Sequence, residues 1–170
     1  MITATDLEFA EVEVAPALAV QMPGQCSPAP ASISEAMRRG FEAVSAFVTR
    51  HGLAMNGQPR AIYNSYGAGG VAFTIAVPVV SAPEGVVDEQ IFVDTLPAVK
   101  AYRFTHHGPY ANLAQTYNLI TAFLKEKGLI ETEADWARYM PMWEEYLNNP
   151  ATTPATELIT FIYLPVSPVE

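Results

Sequence analysis

The chain has 170 residues, half of them hydrophobic, and a formal net charge of −9 from nine Lys and Arg against eighteen Asp and Glu. That length suits one domain, or two small halves sharing one core, and the acidic balance argues against nucleic acid as a direct partner. No apolar run approaches the ~18 residues of a membrane-spanning helix, so no membrane partner is expected.

The first stretch, MITATDLEFAEVEV, has neither the basic region nor the unbroken apolar run of a secretory signal. With the single cysteine, Cys26, unable to form an internal disulfide, a reducing, cytoplasmic location is expected. The alternation VEVAPALAVQM reads as a strand. SISEAMRRGFEAVSAFVTRHGL follows, with Ile33, Met37, Phe41, Val44 and Val48 spaced as the apolar stripe of a helix packed on one face. Ser32 and Ser34 are its candidate N-caps, with Glu35 completing a capping box, and Gly52 its C-cap. PRAIYNSY and VAFTIAVPVV read as strands joined by a turn at YGAGG, residues 66–70. That glycine run lacks a lysine and leads into a strand, so it is not a phosphate loop.

SAPEGVVDEQ, residues 81–90, is a connector, after which the pattern starts again. FVDTLPAVKAYRF is a strand. Leu113, Tyr117, Ile120 and Leu124 mark a second helix stopped by Gly128, and MWEEYL and LITFIYLPV are two further strands. The landmarks recur in order: Val14-Ala15-Pro16-Ala17 with Thr95-Leu96-Pro97-Ala98, Gly52-Leu53 with Gly128-Leu129, Tyr63 with Tyr146, and Val77-Pro78-Val79 with Leu164-Pro165-Val166. The expectation is an α+β fold of two pseudo-symmetric strand–helix–strand–strand modules, about 7–80 and 91–167. Together they form a single domain over 1–170, with antiparallel sheets around a central ligand cleft.

Metal chemistry finds no footing. His106 and His107 are adjacent in a strand and face opposite sides, only His51 lies elsewhere, and no cysteine cluster exists, so neither a metal nor another cofactor is expected. The repeats differ in one informative place. Leu53 to Tyr63 spans 10 residues and Leu129 to Tyr146 spans 17, so the second half carries an insert within IETEADWARYMPM. Thr132-Glu133-Ala134-Asp135 resembles a capping box, so the insert holds a short helix presenting Trp136, Tyr139 and Met140. It is either extra core or a lid, and its place beside MWEEYL favours the lid. In that strand Glu144 shares a face with Tyr146, while Trp143 and Glu145 face the other way. Ala61 stands at the position of Glu144 in the first repeat, so the repeat does not itself require the carboxylate. If the Tyr146 face looks into the cleft, Glu144 is an interior carboxylate, which is costly unless paired, protonated or met by a cationic ligand. Glu145 is expected to be solvated. Tyr63, Tyr110, Tyr146 and Tyr163, with Trp136, are candidate aromatic walls.

The segments His106-His107-Gly108-Pro109-Tyr110, Glu144 to Pro150 and Pro154-Ala155-Thr156-Glu157-Leu158 resemble motifs of the GyrI-like small-molecule-binding domain. That domain is also the effector-binding half of AraC-type and MerR-type multidrug-responsive regulators. The resemblance covers nearly the whole chain and implies a stand-alone member with Glu144 on the cleft floor and Tyr146 and Tyr163 beside it. It also implies a small-molecule partner that is apolar or aromatic and often cationic; a monomer or weak homodimer is expected. Two alternatives stand beside sequestration. One is hydrolysis of electrophilic, cyclopropane-bearing toxins with Glu144 as catalytic base. The other is gyrase inhibition through the acidic surface.

Overall fold

The computed structural model describes residues 7–82 and 90–168; most of the 81–90 connector, residues 83–89, lies outside them. In chain order the elements are β1 (Glu8–Val14), β2 (Ala17–Cys26), α1 (Pro30–Arg50), β3 (Arg60–Gly67), β4 (Gly70–Pro78), β5 (Phe92–Leu96), β6 (Val99–His107), α2 (Leu113–Glu126), β7 (Met142–Tyr146) and β8 (Ile159–Pro168). The architecture is α+β, with one antiparallel eight-stranded sheet in the order β1-β6-β8-β7-β3-β4-β2-β5. The two halves join through β3 and β7 at its centre.

Each opening strand of the repeat is in fact two strands, broken at Pro16 and Pro97. Proline has no N–H for a ladder and marks the point where the chain leaves one partner for another. The fragments then cross over: β1 pairs with β6 of the other half, and β5 pairs with β2. Six strand intervals, ~29 Å in a flat sheet, separate β1 from β2, and likewise β5 from β6. Yet Val14 precedes Ala17, and Leu96 precedes Val99, by only three residues, a reach of ~11 Å at most. The sheet must therefore curl strongly, bringing its two edges together.

Both helices pack on one face of the sheet. Under α1 lies a core with Val44, Phe47, Val71, Ile75 and Val77, and under α2 one with Phe104, Ile120, Leu124, Ile162 and Leu164; Tyr63 touches both. Met37, Phe41, Val44 and Val48 of α1 match Leu113, Tyr117, Ile120 and Leu124 of α2 one for one, so the helices present equivalent stripes. On the opposite face Ala19, Ile62, Ala76, Ala101, Trp143 and Tyr163 gather with Val14, Leu96 and Val99 from the crossover points. The sheet thus closes around this face, and its alanines make room for that closure.

Local signals behave as their chemistry requires, with one exception. Gly52 (φ 63°) and Gly128 (φ 72°) take the left-handed conformation at the helix ends. Gly67 pairs with Gly70 across a tight hairpin, as the YGAGG run suggested. The exception is the start of α1. It begins at Pro30 rather than after Ser32 or Ser34, because proline is pre-set for the first helical position. Glu35 instead pairs with Arg38 and Arg39 on the exposed face.

Candidate functional site

Glu144 lies on the helix-packed face of β7, between Met142 and Tyr146, and is 4% exposed. Its register partner across β3 is Ala61, which is also its counterpart in the repeat. A residue that pairs with its own equivalent sits on the pseudo-two-fold axis. Symmetry would place two carboxylates directly opposite there, with Cβ atoms ~5 Å apart. Two ionised carboxylates there would repel one another, and the small alanine leaves space above the single one.

Two hydroxyls cap the carboxylate. Tyr146 donates to Oε1 at 2.6 Å from the same strand, and Tyr117 donates to Oε2 from α2. Burial pushes the Glu144 pKa up, and these two hydrogen bonds oppose the shift without cancelling it. Both tyrosines are held well above their usual pKa, first by burial and then by the Glu144 charge, so they remain donors. Tyr63 and Tyr110 feel the same burial and charge in that order. Tyr110 meets Tyr146 edge-on at 5.4 Å between ring centroids, and Phe41 of α1 does so at 5.6 Å. Among the described residues, no Lys, Arg or His bonds to Glu144; its hydrogen-bond partners are the two phenols.

Of the sequence-predicted site residues, Glu144, Tyr146, Tyr63 and Tyr110 are brought together. Tyr163 is not. It pairs with Trp143 and stacks on it at 4.8 Å, on the face opposite Glu144. The reason is register: Ile162, not Tyr163, stands beside Glu144. Tyr139 is also elsewhere, buried under α2 with its hydroxyl donating to the Leu129 carbonyl at 3.2 Å. Trp136 occupies the middle ground. The Thr132–Asp135 capping box is formed, and the insert is a short 3-10 helix, Glu133–Tyr139. Its Trp136 indole donates to Thr121 at 3.1 Å and lies 6.2 Å from the Tyr117 ring, so it abuts the tyrosine that covers Glu144. Glu145 does face away, but it is not solvated: it forms an ion pair with Arg60 at 3.0 Å, both side chains largely buried.

Sequence reasoning missed Tyr117 and Phe41, which occupy the same position on the two helices. A polar tip at Tyr117, within an otherwise apolar helical stripe, was the available signal. A separate cavity of about 240 Å³ lies between the end of β6 and α2, lined by His106, His107, Asn112, Gln115, Thr116, Asn118 and Leu119. It includes none of the residues around Glu144, and the buried carboxylate marks chemistry better than that open polar recess. His106 is tied down there. Its Nε2 is 3.0 Å from the Pro109 carbonyl, which can only accept, so Nε2 donates there, and Nδ1 is hydrogen-bonded to the Thr116 hydroxyl at 2.6 Å. Among the described residues no group of three or more His, Cys, Asp or Glu is placed to hold a metal, and no helix is long and apolar enough to cross a membrane.

Residues 6–167 match the family model of the GyrI-like small molecule binding domain. No curated protein matches the sequence. Among solved structures, the EcmrR C-terminal domain is 18% identical with a TM-score of 0.72, over 96% of this chain and 99% of that one. Against the EcmrR chain in its DNA complex, this chain spans 58% of the length. SAV2435 bound to tetraphenylphosphonium aligns at 13% identity and a TM-score of 0.62, over 93% of both chains. A Listeria innocua protein called a hydrolase aligns at 11% identity and a TM-score of 0.55, over 93% of this chain and 91% of that one. At such identities the likeness is one of fold.

Proposed function

The chain belongs to the GyrI-like small-molecule-binding family, and on that footing we propose that it binds amphipathic, cationic aromatic molecules against Glu144, between α1 and α2. One observation carries the reading: a buried carboxylate is satisfied by tyrosine hydroxyls and, among the described residues, bonded to no cationic side chain. Tyr146 is fixed beside Glu144 on one strand, but Tyr117 reaches in from a helix and can give way. A lipophilic cation replacing Tyr117 gains the charge contact, and the rings of Tyr63, Tyr110, Tyr146 and Phe41 receive its apolar body. Desolvation of both charges offsets much of that gain, so micromolar affinity with broad selectivity is expected. The neighbour bound to tetraphenylphosphonium supports this ligand class.

Titration with tetraphenylphosphonium, followed by calorimetry, tests the reading. Glu144→Gln keeps the shape and removes the charge, and should weaken binding about tenfold or more, ~1.4 kcal/mol. A neutral aromatic ligand of similar size should be spared. Equal affinity of wild type and variant for the cation would sink the proposal.

A second reading shares the same atoms. A carboxylate with a raised pKa beside a tyrosine hydroxyl is also a general base with a polarising donor, and one structural neighbour is called a hydrolase. Under that reading, turnover of an electrophilic cyclopropane substrate should fall ~10²-fold in Glu144→Gln, within the range typical of losing a general base.

A further inference from the structure

The face of the sheet away from the helices carries a polar group that the Glu144 site does not use. Its members occupy two adjacent rows across β3, β7, β8 and β6. One row runs Trp143, Tyr163, Arg103, and the other Arg60, Glu145, Phe161. Arg60 lies over the Trp143 ring at 5.3 Å, and Arg103 over the Phe161 ring at 4.5 Å. The Tyr163 hydroxyl lies between Glu145 and Arg103; burial and then Glu145 raise its pKa to about 12, and Arg103 opposes the rise.

The account of donors and acceptors does not balance. Arg60 Nε, Arg103 Nε and Trp143 Nε1 are all buried and have no hydrogen-bond acceptor. Arg60 Nε is 3.0 Å from Glu145 Oε1, but its N–H does not point at that oxygen, so the pair is a charge contact and the donor is left over. An unfilled buried donor costs ~1–3 kcal/mol, and three lie on this one face. Two guanidinium groups face one carboxylate, a local excess of positive charge in a chain of net charge −9.

We propose that this face holds a small oxyanion, a carboxylate or a phosphate group, accepting from Arg60, Arg103 and Trp143. Arginine forks match the planar or tetrahedral oxygens of such groups, and the aromatic rings beneath orient both guanidinium groups. Glu145 acts as the occupant's competitor. It neutralises Arg60 when the site is empty and yields part of that contact when an anion enters. The site is separate from Glu144, which faces the helices from the same strand.

The test is a titration of the isotopically labelled protein with acetate and with inorganic phosphate, reading the Nε–H signals of Arg60 and Arg103 by NMR. Saturable shifts with either anion are expected, and the anion that produces them identifies the group. Arg103→Met should weaken binding at least tenfold, and Arg103→Lys, which keeps the charge but lacks the fork, should also weaken it if the methionine variant does not fold. Glu145→Gln should tighten binding several-fold. Shifts that stay linear in concentration and match those of sodium chloride at equal ionic strength would overturn the proposal. So would undiminished binding in both Arg103 variants.

Discussion

Tyr117 and Glu144 hold the protein's most consequential contact, and each can be changed by a few atoms. Tyr117→Phe removes one donor to a buried carboxylate. Hydrogen bonds to charged groups contribute ~1.5–3 kcal/mol, so the variant should lose stability on that scale in thermal unfolding. Its affinity for tetraphenylphosphonium should rise several-fold, because the ligand no longer displaces a hydrogen bond. Glu144→Gln acts in the opposite sense on stability. The folded protein holds a proton on Glu144 more tightly than the unfolded chain does, because burial raises its pKa from an ordinary value of 4.5. The resulting stabilisation is complete below that ordinary value and is lost as pH rises through the raised folded one. At pH 8 the glutamine variant should therefore be the more stable, by on the order of 1 kcal/mol. The gap should close as pH falls toward 4.5. A constant gap across chemical denaturation curves from pH 4.5 to 8 would mean that the carboxylate is not strained by burial. Glu145→Gln is no silent control for stability, since it strips Arg60 of its buried partner.

Among the elements, α1 shows how closely a helix is held to the sheet. A Cβ built on Gly40 would meet Ile75 Cγ1 at 2.6 Å, so the helix lies against β4 where only glycine fits. Alanine in a helix is worth up to ~1 kcal/mol over glycine, whereas overpacking a core costs ~1–3 kcal/mol. Packing should win: Gly40→Ala should lower the unfolding midpoint, and by lifting Phe41 off Tyr146 it should also weaken cation binding. A raised midpoint would show that α1 can slide freely. Much at this scale was legible in the sequence. The helical stripes, the glycine stops, the YGAGG hairpin and the Thr132 capping box all report local geometry, which a handful of neighbouring residues determines. The alternation in MWEEYL also placed Glu144 and Tyr146 on one face. Pairing between distant strands was not legible. The exchange of β1 and β5 between halves, and the register that sends Tyr163 to the far face, depend on which strands meet. Trp136 illustrates the same limit: its sequence position marked the insert, but its bond to Thr121 belongs to the packing of α2.

The whole molecule is a duplication folded about one axis, and the buried carboxylate of Glu144 sits where that axis makes duplication costly. Ala61 and Glu144 are both register partners and repeat equivalents, and Ala61 is fully buried. Ala61→Glu would restore symmetry and put two carboxylates on the axis, where like charges cannot both ionise cheaply. Bulk alone would also destabilise this position, so Ala61→Gln is the proper reference. Both variants overpack this buried position equally, and their difference isolates charge. At pH 8 the glutamate variant should be the less stable by several kcal/mol, a scale set by an unpaired charge added to a buried site. The difference should shrink as pH falls and one carboxylate takes up a proton. Adding Glu144→Gln to both should abolish most of the pH dependence, since one carboxylate then remains in the glutamate variant and none in the glutamine variant. If the two variants unfold alike across pH, Ala61 is alanine for space alone. If they diverge as argued, electrostatics at the axis explains why this near-symmetric fold carries its carboxylate on one side only.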